Sequence, residues 1–170
     1  PDFQLVLNTL KDKAGFRTDL PKGQGMGVAV VESHGTIVGQ VATVSVQRRG
    51  QVRVEKVVQV IDAGHIINPS NAIEQAEGSV VWGLSHSLMG GIELANGQIT
   101  NSNFDKMHIL RIGDMPEIET YFALSRGEKW GGMGEPAVAP IGAAVANAIF
   151  FATGKRARSN PILQHDLSWA

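Results

Sequence analysis

The sequence predicts an α+β fold in which antiparallel hairpins form a sheet packed with two main helices. Two alternating β-rich runs, Ile37 to Gln47 and Val52 to Ile61, flank the short turn Arg49-Gly50. That is the pattern of an antiparallel hairpin. A long helical pattern opens at Asn68-Pro69, and a second, made mostly of small residues, runs from Pro140 to Thr153. The elements follow the order helix, hairpin, long helix, hairpin, strand, helix, which is not the alternation of a parallel α/β chain.

Each element has a local reason. Asp2 is placed to cap a short first helix, with Phe3, Leu7, Leu10 and Ala14 at helical spacing and Gly15 to end it. Val28 to Val31 reads as a strand. In the first hairpin, Val38, Ala42, Val44 and Val46 share one face of one strand. Val52, Val54, Val58 and Val60 share one face of the other, which Asp62-Ala63-Gly64 closes. Asn68 as N-cap and Pro69 at the first helical position start the long helix. Its stripe is Ile73, Ala76, Val80, Leu84 and Leu88, and Gly90-Gly91 ends it. Gly78 and Gly83 inside it cost about 1 kcal/mol each against Ala and point to close packing by another element or a ligand. Asn96-Gly97 suits a two-residue hairpin turn between Ile92–Leu94 and Gln98–Thr100. Residues 101–116 are irregular, and Ile118 to Phe122 reads as a strand. In the tail, Pro161-Ile162-Leu163 reads as docked apolar packing.

Composition sets bounds. A chain of 170 residues fits one domain or a piece of a larger one. The net charge of −1 gives no electrostatic case for nucleic acid or an anionic membrane surface. There is no Cys, hence no thiolate nucleophile and no cysteine-held iron–sulfur cluster. No apolar run looks long enough to span a bilayer. The start, Pro1-Asp2-Phe3, is neither a signal peptide nor an initiator Met, and it reads as the start of a piece of a longer chain.

Few constellations carry chemistry. His34, His65, His86, His108 and His165 show no metal-ligand spacing. Ser85-His86-Ser87 is no nucleophile elbow. Asp114 and Glu117 read as loop surface. Gly23-Gln24-Gly25-Met26-Gly27 follows a helix and precedes a strand, the reverse of a dinucleotide loop, and reads as a glycine-rich lead into that strand. On spacing alone Gln75 is a solvated amide near a helix start. The densest motif is Gly131-Gly132-Met133-Gly134-Glu135-Pro136. Its glycines permit positive φ or close approach, Pro136 stiffens the exit, and Glu135 stands just before a helix. A carboxylate held in this way suits a general base. It equally suits a plain acidic residue placed to meet a helix dipole.

Three segments together resemble one family. They are Asp62-Ala63-Gly64 through Asn68-Pro69 to Gln75-Ala76-Glu77-Gly78; Asn103-Phe104; and Gly131 to Pro136 running into Ala146-Asn147-Ala148-Ile149 and Thr153-Gly154-Lys155-Arg156. The chain is similar to the C-terminal part of the molybdopterin-binding large subunit of the xanthine dehydrogenase and aldehyde oxidase family, most of all to the bacterial isoquinoline 1-oxidoreductase beta subunit type. The resemblance implies that residues 1–170 are the C-terminal portion of a molybdopterin-binding domain, with further pterin contacts upstream in a longer subunit. It implies Glu135 as catalytic base, Gln75 as a pterin contact, and main chain at Gly132, Met133 and Gly134 beside the metal site, with no side-chain metal ligand. The implied cofactor is molybdenum on a molybdopterin, in bacteria usually the cytosine dinucleotide form, and none bound to the fragment alone. The implied partner is a small subunit with iron–sulfur clusters. The implied chemistry is water-derived hydroxylation of an N-heterocycle or oxidation of an aldehyde. The chain departs from the family at Met107, often Tyr, and at Met133, often Val. The reading from a different class is a non-catalytic α+β module for subunit assembly. The compartment, bacterial cytoplasm or periplasm, is not legible.

Overall fold

The computed structural model describes residues 2–128 and 130–170; Pro1 and Lys129 lie outside the described residues. Helix α1 (Phe3–Ala14) is followed by β1 (Gln24–Ser33), β2 (Thr36–Val46) and β3 (Val52–Asp62). Helix α2 (Pro69–Leu88), a small hairpin of β4 (Leu94–Ala95) and β5 (Gln98–Ile99), strand β6 (Glu117–Phe122) and helix α3 (Ile141–Thr153) complete the order. The main sheet has the strand order β1-β2-β3-β6. The first three strands pair antiparallel, as their hairpin turns require. The last pair corrects the expectation of an antiparallel sheet: β6 runs parallel to β3. A parallel neighbour needs a long crossover, and α2 with the irregular stretch after it provides one. Glu117, expected on a loop surface, opens β6, where Lys56 Nζ lies 3.3 Å from its carboxylate.

The sheet is covered on both faces, so β2 is buried along most of its length. Helices α2 and α3 lie on one face, with Ala42, Val44, Val54 and Val57 meeting Val80, Leu84, Ile141 and Val145. Helix α1 lies on the other, where Val6 and Leu10 meet Ile37, Val41, Val58 and Val60. Two apolar patterns therefore differ from their sequence reading. In α1 the buried residues are Val6 and Leu10, while Phe3 and Leu7 are exposed. The cap is as expected, with Asp2 accepting from the Gln4 and Leu5 amides and Gly15 left-handed. In β3 the valines do not share a face. The register shifts between Thr43 and Val44, so Glu55 is an extra residue, and a bulge of one residue exchanges inside for outside. Val54 therefore faces α2 and α3, whereas Val58 and Val60 face α1.

Asn68 caps α2 through the Asn71 amide, with Pro69 at the first turn. The Asn96-Gly97 turn has positive φ at both residues, as a type I′ turn demands. In the tail Ile162 and Leu167 are buried and Leu163 is exposed. Residues 136–153 are apolar and long enough to cross a membrane by length and composition, contrary to the sequence expectation. Half of that window is buried in the fold, and α3 lies on the sheet beside β1. Gly25 and Gly27 explain how closely: a Cβ at either would stand 2.1 Å from the carbonyl oxygen of Ala148 or Ala144. The glycine string before β1 is a helix–strand seam.

Candidate active site

One end of α2 and the stretch 131–138 face each other across an open groove of about 440 Å³. Glu74, Gln75, Gly78, Ser79, Trp82, Gly134, Glu135 and Val138 line it. On α2 the positions 75, 78, 79 and 82 share one face by helical spacing. Of these Ser79 is buried, while Gln75, Gly78 and Trp82 are exposed.

Hydrogen bonds from the α2 side converge on the Gly134 carbonyl oxygen. Gln75 Nε2 donates to it at 3.0 Å, and Ser79 Oγ lies 3.1 Å from it and 2.9 Å from the Gln75 carbonyl. Gln75 is thus a helix amide that holds the neighbour of Glu135, not a merely solvated one. Its Nε2 also donates to Ser79 Oγ at 3.5 Å, and its Oε1 keeps its lone pairs, so acceptor capacity for another partner remains.

Glycine-to-loop contacts fix the rest. The Gly131 amide donates to the Ala63 carbonyl and the Gly132 amide to the His34 carbonyl, each at 2.9 Å. Thr36 Oγ1 donates to the Gly132 carbonyl at 2.6 Å. A Cβ at Gly131 would stand 2.1 Å from Thr36 Oγ1, so this glycine serves close approach. None of Gly131, Gly132 and Gly134 has positive φ, which removes that part of the sequence argument. Gly134 and Gly78 differ from the others, because a Cβ on either meets nothing within 4 Å. Gly83 instead packs on Val138 and Ile141.

Glu135 is exposed and lines the groove. It precedes the 3₁₀ turn Pro136–Val138, has helical dihedrals, and its side chain makes no cap bond there. Helix α3 begins only at Ile141. A helix macrodipole fades within its first turn, so the dipole of α3 does not set this carboxylate as the sequence suggested. Met133 is half-buried against the cluster of Val38, Ile61, Ala63, Ala76 and Ala137. The structure therefore brings Gln75, Gly134 and Glu135 together, and it places Gly132 and Met133 behind them.

Asp62 ends β3 on the α1 side of the sheet, next to Ala63, whose carbonyl holds the Gly131 amide. It is fully buried. Its Oδ1 accepts from the Gly64 amide at 2.9 Å and from the Ser125 amide and hydroxyl at 3.1 Å each, and its Oδ2 from the Asp2 amide at 2.8 Å. Burial alone would raise its pKa, and these donors together outweigh burial and lower it. Ser79, Trp82 and Glu74 were not singled out in the sequence. The available signal was spacing from Gln75, one turn for Ser79 and two for Trp82. Among the described residues no group of three His, Asp or Glu side chains could hold a metal ion.

Comparison with known proteins decides the family. Residues 9–116 match the model of the molybdopterin cofactor-binding domain. The chain belongs to that family. It is 37% identical over 95% of its length to the membrane-bound aldehyde dehydrogenase [pyrroloquinoline-quinone] of Gluconacetobacter polyoxogenes, covering 22% of that protein. It is 29% identical over 95% of its length to the isoquinoline 1-oxidoreductase subunit beta of Brevundimonas diminuta, covering 21% of it. Its fold matches quinoline 2-oxidoreductase from Pseudomonas putida 86 with a TM-score of 0.66 at 23% identity, over 77% of this chain and 19% of the other. The chain spans about a fifth of the length of the curated relatives it matches.

Proposed function

We propose that this member of the molybdopterin cofactor-binding domain family is part of a molybdenum-dependent oxidoreductase acting on an aldehyde or an N-heterocycle, with Glu135 as its general base. The observation that carries the reading is the convergence of Gln75, Gly134 and Glu135 on one groove. The residues present fit the cofactor. Gly78 leaves an open floor where any Cβ would project, and Gln75 offers an amide beside it, with bonding capacity left to meet the edge of a pterin. Gln75 and the Gly134 main chain would hold the pterin side of the group, in its cytosine dinucleotide form by the family resemblance. When bound, the molybdenum supplies the acceptor for the substrate's electrons, which pass on to iron–sulfur clusters in a partner subunit.

The chain's own residues have separable tasks. Gln75 and Ser79 fix the Gly134 carbonyl, which sets where the next residue projects. Pro136 limits the backbone on the other side. The Glu135 carboxylate, facing the groove, accepts a proton from the oxygen that attacks the substrate carbon and holds it until turnover ends. Because solvent also reaches the groove in this chain, closure of the site falls to further chain or partner.

Glu135→Gln keeps size and cannot accept the proton. In the holoenzyme the rate of substrate oxidation is expected to fall about 10²–10⁴-fold, with molybdenum and pterin content unchanged. Rapid-mixing kinetics on the cofactor-replete variant measures it. A rate within a few-fold of the parent would leave Glu135 as a structural carboxylate.

A further inference from the structure

Gln40 lies on β2 in the middle of the sheet and is fully buried. Its Nε2 donates to the Ala137 carbonyl at 2.8 Å and to Gln59 Oε1 at 3.1 Å. Gln59, also fully buried, donates through Nε2 to Thr120 Oγ1 at 2.9 Å. Three neighbouring strands thus carry one polar chain across the face that packs on α2 and α3. It ends on the residue two beyond Glu135.

The direction of that chain is fixed. The Ala137 carbonyl can only accept, so Gln40 must present its nitrogen, and Gln59 must then present its oxygen. Gln40 Oε1 has no hydrogen-bond partner among the described residues. The amide is therefore held by its two donor bonds alone, and a flip would set its oxygen against the Ala137 carbonyl. Glu135 is bracketed as a result. The carbonyl before it, on Gly134, is held from α2 by Gln75 and Ser79. The carbonyl two after it, on Ala137, is held from the sheet by Gln40.

We propose that Gln40 is a positioning residue for Glu135: the Thr120–Gln59–Gln40 strut fixes the 135–137 turn so that the carboxylate faces the groove. The proposal rests on the reading of Glu135 as base, and Gln40 itself stands outside the groove lining. The Val138 amide reports on the turn, since it donates to the Glu135 carbonyl at 2.9 Å.

The test has two readouts. In the 170-residue chain, hydrogen exchange at Val138 is measured in Gln40→Leu and in Val60→Ala, a core control on the α1 face. Loss of the strut is expected to speed Val138 exchange about tenfold or more, and the control is expected to leave it near the parent after correction for global stability. In the holoenzyme, Gln40→Leu is expected to lower kcat about 10- to 100-fold, with KM and molybdopterin content unchanged. Added to Glu135→Gln, it is expected to cost nothing further. Val138 exchange equal to the control, an unchanged kcat, or an additive double variant each overturns the proposal. If Gln40→Leu does not fold, Gln40→Met, closer in shape, gives the same readings. Should Glu135→Gln alone retain full activity, the base assignment fails. The Val138 exchange then still decides whether the strut holds the turn.

Discussion

At Gly25 and Gly27 the space of a missing Cβ is taken by the backbone of α3, 2.1 Å away; at Gly78 and Gly134 nothing stands within 4 Å. Gly25, Gly27 and Gly134 sit in glycine-rich stretches and Gly78 inside a helix, and none of these settings tells the two pairs apart. The first pair is needed by the fold, since a helix could not lie on β1 otherwise. The second pair is required by no contact within the described chain, and both of its members line the groove. What fills the Cβ position, rather than how many glycines are present, separates the packing seam from the open groove.

The contrast breaks most clearly at the seam. Gly27→Ala drives a methyl into the Ala144 carbonyl and the Ala148 amide, both backbone groups that cannot rotate away. Overpacking of this kind costs about 1–3 kcal/mol and more where backbone must move. The upper end is expected here, read as a lowered urea midpoint. On the groove side, Gln75→Ala removes a donor to the Gly134 carbonyl without touching the core. It is expected to lower pterin and molybdenum content of the holoenzyme about tenfold, as one lost hydrogen bond to a positioned group would. Full occupancy with reduced turnover would instead give Gln75 a part in the chemical step.

A smaller effect comes from Asp62, at the end of β3 beside the start of α1. Its folded pKa is lowered, so its contribution to stability is complete above its ordinary value of 3.8 and is lost as pH falls below that. Urea midpoints taken from about pH 5 down to pH 2 are expected to fall less steeply in Asp62→Asn than in the parent. Equal slopes would mean that the donors from Gly64, Ser125 and Asp2 do not favour the charged form. The smallest effect should be Gly78→Ala. The methyl meets no atom within 4 Å, so the chain should gain up to about 1 kcal/mol from helix propensity alone. A loss of stability there would erase the distinction from Gly27.

Much of this was legible in the residues. Asp2, Gly15, Asn68, Pro69 and Asn96-Gly97 announced their ends and turns because capping and turn chemistry are local. The motif that lines one side of the groove stood out for the same reason, as glycine, carboxylate and proline in six residues. What was not legible depended on pairing. Nothing local in Lys56 or Glu117 says that their strands run parallel, and nothing in Glu55 says that it is the extra residue. The bulge therefore reversed the facing of Val58 and Val60. Ser79 and Gln40 were hidden likewise, since each acts on a carbonyl more than 50 residues away in sequence.

The parallel partnership of β3 and β6 also bears on how the chain reaches its fold. The hairpins β1-β2 and β2-β3 join residues near in sequence, whereas Lys56 meets Glu117 across a separation of 61. Closing so long a loop is slow, because its entropy is lost before its contacts form. The three-stranded meander is thus the part of the sheet with the lowest loop-closure cost. Thr120 arrives with β6, and the Gln75 to Gly134 contact spans a comparable 59 residues. The contacts that assemble the groove therefore carry a larger loop-closure cost than the hairpins of the meander.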